Sequence, residues 1–180
     1  FISLFLTKSL GAFLSLFLGF LIFSILSRQF RRKTIFSLAI LFIFAMAIIF
    51  LRRTQFFNFS SPHNPFVQRL LYWRQSIQIV KEHPFLGIGL GNFQIPKSAY
   101  AHNSYLQLWA ELGILGIFSF LVFIYYKIKE GLSKIRIQPD DIERMAVLTS
   151  VVTFLIHIIF DFNLFIPEVA LVWWVILSIN

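Results

Sequence analysis

Long apolar runs separated by short basic links set the pattern of this chain. Residues 9–27 run for nineteen positions without a charge, and 34–51 for eighteen. A helix needs about 20 residues to cross a bilayer, so both runs predict membrane spans. Three further apolar stretches follow: 108–126, 145–160 with His157 inside it, and 164–179 with Glu168 near its start. The last two are short for a span, and either borrow flanking residues or sit in a thinner region. The predicted fold is an all-α polytopic membrane protein of about five transmembrane helices. One large, partly helical loop, residues 52–107, faces outward.

That loop carries its own order. Apolar residues at 66, 67, 70, 71, 73, 77 and 80 follow helical spacing. Pro65 suits the start of such a helix, and His83-Pro84 ends it. Tyr72, Trp73 and the paired leucines predict that this helix lies in the membrane interface. A glycine bend follows, Gly87-Ile88-Gly89-Leu90-Gly91-Asn92. Asn103 or Ser104 then caps a new helix that runs into the third span. No internal repeat is present.

Charge orients the spans. Arg28, Arg31, Arg32 and Lys33 fill the first link, and Lys127, Lys129, Lys134, Arg136 and Arg144 fill the link after the third span. An even number of crossings separates the two, so the positive-inside rule places both in the cytoplasm. Residues 52–109 and the turn 161–167 then lie outside. Arg52 and Arg53 run against the rule, but they open a long loop, where it is weak. Composition agrees with a membrane protein. The 180 residues are 58% hydrophobic and 13% charged, against about 25% charged in soluble domains. The net charge of +8 sits at the ends of apolar runs. A groove of basic and stacking aromatic residues would look different, so no nucleic-acid partner is expected. With no cysteine, disulfides and thiolate metal sites are excluded. The chain opens on Phe1 with an apolar run close behind and no signal-peptide pattern. It reads as a fragment lacking an N-terminal portion.

The candidate chemistry lies in the loop. Between Arg52 and Ala110 the one carboxylate is Glu82, with Glu111 just beyond. A paired-carboxylate mechanism and an acidic metal cluster are poorly supplied, and no metal or cofactor is expected. The glycine bend follows a helix rather than a strand, which argues against a dinucleotide loop. Arg52, Arg53, Arg69, Arg74, Lys81 and Lys97 suit an anionic partner at the membrane surface, such as a lipid-linked phosphate. Arg52 and Arg53 read more simply as headgroup contacts. His102 precedes a helix N-terminus, whose dipole favours neutral imidazole and hence a general base. The plainer reading is a hydrogen-bonding structural histidine. His63 and His83 read as loop residues. His157 stands four residues before Asp161, a spacing that puts both on one helix face. Such a pair is either functional or a packing contact.

Four motifs occur in order: Arg69-Leu70-Leu71-Tyr72-Trp73, His83-Pro84-Phe85-Leu86-Gly87-Ile88-Gly89-Leu90-Gly91-Asn92-Phe93, His102-Asn103-Ser104-Tyr105-Leu106, and Glu111-Leu112-Gly113-Ile114-Leu115-Gly116. This set resembles the core of the O-antigen ligase and O-antigen polymerase superfamily. The tail His157, Asp161, Pro167 is similar to its last helices. The resemblance covers residues 1–180 as one membrane domain and is most specific over 69–116. It implies a metal-independent glycosyltransferase of the bacterial inner membrane, with the loop on the periplasmic side. The implied donor is a glycan on undecaprenyl pyrophosphate, the acceptor is a lipid or a glycan, and membrane lipids surround both. By resemblance, His102 is the catalytic residue that activates the acceptor hydroxyl, and Arg69 binds the pyrophosphate; Arg74 or Lys8 is expected to assist it. Asn103 and Glu111, in the same motifs, complete the expected substrate-binding set. One departure stands out. Family members often carry Ser-Arg-Gly-Ala at the start of a span. Here Thr7-Lys8-Ser9-Leu10-Gly11-Ala12 puts Leu10 in the arginine position, and Lys8 supplies at most a point charge. Two other readings fit the scaffold: a membrane transporter, and an inactive subunit that binds lipid pyrophosphate.

Overall fold

The computed structural model describes residues 9–27, 31–53 and 57–179. Lys8 and Arg28, both invoked above, lie outside them. The described residues are helical, with no β-strand beyond one isolated bridge between Ile95 and Ser98. The helices are α1 (Leu10–Leu26), α2 (Arg31–Leu51), α3 (Pro65–Glu82), α4 (Ser104–Ile137), α5 (Ile142–His157) and α6 (Pro167–Ile179). A short 3-10 turn, Asn163–Phe165, precedes α6.

Among the described residues, α2 and α4 are long and apolar enough to cross a membrane, while α1 and α6 are apolar but shorter. α2 keeps Phe36, Phe42, Ile43 and Phe50 more than half exposed. In water that would be a large apolar patch; in a bilayer it is a lipid-facing surface. α4 exceeds its expected span at both ends. Its backbone leaves helical geometry at Gly113 (φ 66°, ψ −168°), which kinks it near the point where the loop meets the span.

The chain forms two compact units. The first comprises the described residues through Arg53, Lys127–His157, and those from Leu171 on. Here α1 packs against both α2 and α5. Gly19 allows the close approach to α5, because a Cβ there would overlap the Thr153 hydroxyl. Ile135, Met145 and Leu148 form a small core with Phe23, Leu26 and Val152 packed around it. Asp141 starts α5 by accepting the Arg144 N–H at 3.0 Å, as an N-cap carboxylate does. The buried Ser15 hydroxyl lies 2.8 Å from the Gly11 carbonyl and 3.2 Å from His157 Nδ1.

α5 stops at His157, three residues short of its expected end. The carbonyls of Ile158 and Asp161 are instead taken by Ser104, so the segment leaves the helix. Asp161 therefore does not share a helix face with His157, contrary to the spacing argument, and belongs to the second unit. That unit comprises the described residues from Phe57 to Tyr126 and Ile158–Ala170. Its core is Val80, Phe93, Ile95, Ala101 and Ala110, which fastens α3 and the loop after it onto the first turns of α4.

Candidate functional site

α3 begins at a strong local signal. The buried Asn64 side chain accepts the Phe66 and Val67 N–H groups at 2.9 and 3.3 Å, and Pro65 follows it. Pro84 halts the helix after His83. Between these stops, Ser76 and Val80 are buried, with Arg69, Tyr72, Trp73 and Ile79 partly so. Phe66, Leu70, Leu71, Arg74 and Ile77 are exposed. α3 thus turns Arg69 inward and leaves Arg74 on its outer face. Burial lowers the Arg69 pKa, and the Asp161 carboxylate opposes that shift. A guanidinium starts so high that it stays charged.

His102 is the centre of the site. It lies in the left-handed region, at φ 51°, a strained conformation for a residue with a Cβ, at a cost of about 1–3 kcal/mol. The imidazole is stacked with Tyr72 at 5.6 Å between centroids and meets the Phe162 ring edge-on at 5.0 Å. Tyr100 stacks on Phe162 in turn, at 4.1 Å. The Trp73 indole N–H donates to the His102 carbonyl at 3.4 Å. His102 Nδ1 stands 3.9 Å from Asp161 Oδ1, close enough to feel the carboxylate and too long for a hydrogen bond. Burial pushes the imidazole pKa below its ordinary value; Asp161 works against this, and Arg69 adds to it. The direction agrees with a neutral histidine, but the leading cause is desolvation by the surrounding rings rather than the helix dipole.

The residues that hold this arrangement sit on α4. Asn103 caps the helix, accepting the Leu106 N–H at 3.0 Å. Ser104 is fully buried; its hydroxyl donates to the Asp161 carbonyl at 2.9 Å, and its N–H to Ile158 and Asp161. This ties the turn bearing Asp161 and Phe162 to the residue two positions after His102. Gln107 and Glu111, 2% and 1% exposed, form a relay one turn apart. The Ala101 N–H donates to Gln107 Oε1 at 3.2 Å. The Gln107 amide donates to Glu111 Oε1 at 3.1 Å, and the Gly91 N–H donates to Glu111 Oε2 at 2.9 Å. The relay therefore binds the residue before His102 to the glycine bend. The bend is further secured by N–H donation from Ile88 to Ala110 and from Gly89 to Glu111. Gly87 has a positive φ and lies so close to the α4 backbone that a Cβ would overlap it.

The structure brings Arg69, His102 and Asp161 into one electrostatic cluster and leaves Arg74 outside it. Asn103 and Glu111, expected to touch substrate, are instead used internally: Asn103 accepts from the first turn of α4, and both Glu111 oxygens are occupied by protein N–H groups. Sequence reasoning missed Asp161, Tyr72 and Phe162 as neighbours of His102, and missed Gln107 altogether. Pro167 and the polar turn residue Asn163 signal a break before α6, and that break frees Asp161 from His157. Nothing in the sequence pairs Gln107 with Ala101. Among the described residues, no group of three or more His, Asp or Glu stands together to hold a metal ion.

Two outcomes follow from this geometry. In a ¹⁵N-edited titration of the reconstituted protein, His102 is expected to titrate below the ordinary histidine range, because burial disfavours the imidazolium. Asp161→Asn moves that midpoint lower still, because a carboxylate that favours the imidazolium is gone; Arg69→Gln moves it higher, because a repelling charge is gone. Glu111→Ala leaves the Gly91 N–H and the Gln107 amide without their buried acceptor, a loss of about 1–3 kcal/mol. Hydrogen exchange then accelerates over residues 87–92 and at Ala101, with α1 and α2 unchanged.

No curated protein and no solved structure matches the chain. A family model does: the one described as O-antigen ligase, over residues 1–121. That stretch is about two thirds of the chain and contains Arg69, His102, Gln107 and Glu111, though not Asp161. Its match fits the ordered motifs of the loop and the helices on either side, and the chain belongs to the O-antigen ligase family.

Proposed function

We propose that this protein transfers a glycan from a polyprenyl pyrophosphate, undecaprenyl pyrophosphate in a bacterial inner membrane, to an acceptor hydroxyl on a lipid or glycan. In this reading five helices cross the bilayer and the loop 52–107 faces the periplasm. The observation that carries the proposal is the placing of His102. Its imidazole is desolvated between two rings, beside one carboxylate, with a guanidinium in electrostatic reach.

The step balances without any further group. The acceptor oxygen forms a bond to the anomeric carbon and gives its proton to His102. The bond from that carbon to the pyrophosphate oxygen breaks, and the electron pair leaves with the polyprenyl pyrophosphate. Because Nδ1 faces Asp161, Nε2 is the nitrogen that takes the proton. Asp161 then stabilises the imidazolium, drawing closer as its charge develops; such hydrogen bonds are often long until substrate binds. Arg69 meets the charge growing on the leaving phosphate, where a planar fork of donors matches the oxygens. Gln107, Glu111 and Asn103 act by position, through the backbone they hold.

His102→Ala is expected to lower glycan transfer in liposomes by about 10²–10⁴-fold, the usual worth of a general base. Arg69→Lys keeps the charge, loses the fork and raises KM for the donor. Because burial lowers the imidazole pKa, the acid limb of kcat/KM is expected below the ordinary histidine range. Unchanged transfer in both variants would sink the assignment. Donor binding without turnover in the unaltered protein would favour the inactive subunit, a reading that Leu10 at the start of α1 supports.

A further inference from the structure

Three large apolar side chains project from the bend between α3 and α4. Phe85 is 71% exposed, Leu86 75% and Leu90 70%. They flank a backbone built to hold a fixed shape. Gly87, Gly89 and Gly91 all have positive φ, and Gly91 is clamped by the buried Glu111. Folding has spent a buried carboxylate and three left-handed glycines on a loop whose tips touch little of the protein.

The position of the loop identifies what the tips touch. The Ile114 N–H donates to the Pro84 carbonyl at 2.9 Å, and Gly113 lies against the Phe85 backbone so closely that a Cβ would overlap it. The bend is therefore fastened to α4 at its kink. From that level α4 continues as one of two helices among the described residues suited to cross a membrane, with Leu115 and Phe118 exposed on its surface. The apolar tips therefore sit beside the start of this exposed apolar run.

The backbone between the tips is largely closed on the protein itself. The N–H groups of Gly87, Ile88, Gly89, Gly91 and Asn92 donate to protein oxygens, which holds the shape from which the tips project.

We propose that Phe85, Leu86 and Leu90 form a wedge that enters the outer leaflet and sets the depth of the His102 site against the bilayer surface. The wedge dips its tips among the upper acyl chains while its polar base stays at headgroup level. A pyrophosphate carried on a lipid presents its charge at that level, so the wedge would set the height at which Arg69 and His102 meet it. This last purpose rests on the proposed transfer reaction; the insertion itself rests only on α4 crossing the membrane. The occupant is bilayer lipid rather than the tail of a single bound donor, since all three tips are at least 70% exposed.

The absence of native cysteine makes the test clean. Leu86→Cys, Leu90→Cys, Phe118→Cys and Asn92→Cys each carry a single nitroxide on the full chain, in vesicles of phosphatidylethanolamine and phosphatidylglycerol without donor. Power saturation compares oxygen, which partitions into acyl chains, with a water-soluble nickel chelate. Labels at 86 and 90 are expected to resemble Phe118, with oxygen the stronger relaxant, and Asn92 to show the reverse. Labels at 86 and 90 that resemble Asn92 would overturn the wedge. So would a lipid signature that appears only after polyprenyl pyrophosphate is added, which would make the tips a tail site. An aqueous signature at Phe118 would remove the continuity argument and overturn it as well. None of these readings depends on glycan transfer, so failure of the proposed reaction leaves the result independent.

Discussion

Gln107 and Glu111, one turn apart on α4, hold both ends of the connection between α3 and α4 to one helix. Gln107 takes the N–H of the residue before His102, Glu111 takes the N–H of Gly91, and the amide between them closes the chain of hydrogen bonds. Both side chains are buried, so each bond forms where water cannot substitute for it and where a missing partner is costly. A buried polar network of this kind specifies one arrangement when complete. Here it specifies the path of the backbone on both sides of the glycine bend and into the left-handed turn at His102.

The rest of the site follows from that path. A residue held at positive φ has its side chain aimed where a relaxed backbone would not send it, and His102 is aimed between Tyr72 and Phe162. Ser104, two residues on, fastens the segment that carries Asp161 and Phe162. α3 supplies Tyr72, the Trp73 indole and Arg69 from its inward side. Burial lowers the affinity of the imidazole for protons, and Asp161 and Arg69 pull it in opposite directions. The same α4 turns anchor the apolar bend, so the His102 site and the bend are mechanically one structure.

The fold was largely readable from hydropathy, because apolar runs of span length have few other uses. α1, α2 and α3 fall close to their expected bounds, and Pro65 and Pro84 mark α3 at both ends. The ordered motifs single out His102 and Arg69 as candidates, and the structure places both within one electrostatic cluster. What stayed hidden was tertiary. Spacing alone set Asp161 beside His157, on the assumption that the helix continued; a serine 57 positions earlier took the carbonyls instead. Glu111, just beyond the loop, was expected among the substrate-binding residues from its motif, and its burial is a property of packing. Gln107 had no signal, since a glutamine on a helix is ordinary until its partner is known. The lowered affinity of His102 for protons was anticipated in direction, with the wrong cause given first place.

The central claim is that His102 and Asp161 act as one proton-accepting unit. A double-mutant cycle on kcat/KM for glycan transfer tests it most directly, using His102→Ala, Asp161→Asn and the two together. Groups that act as a unit are strongly non-additive. The account predicts that Asp161→Asn alone slows transfer, and that adding it to His102→Ala costs nothing further. Losses that multiply in the double variant would show that Asp161 works independently of His102, and would contradict the account.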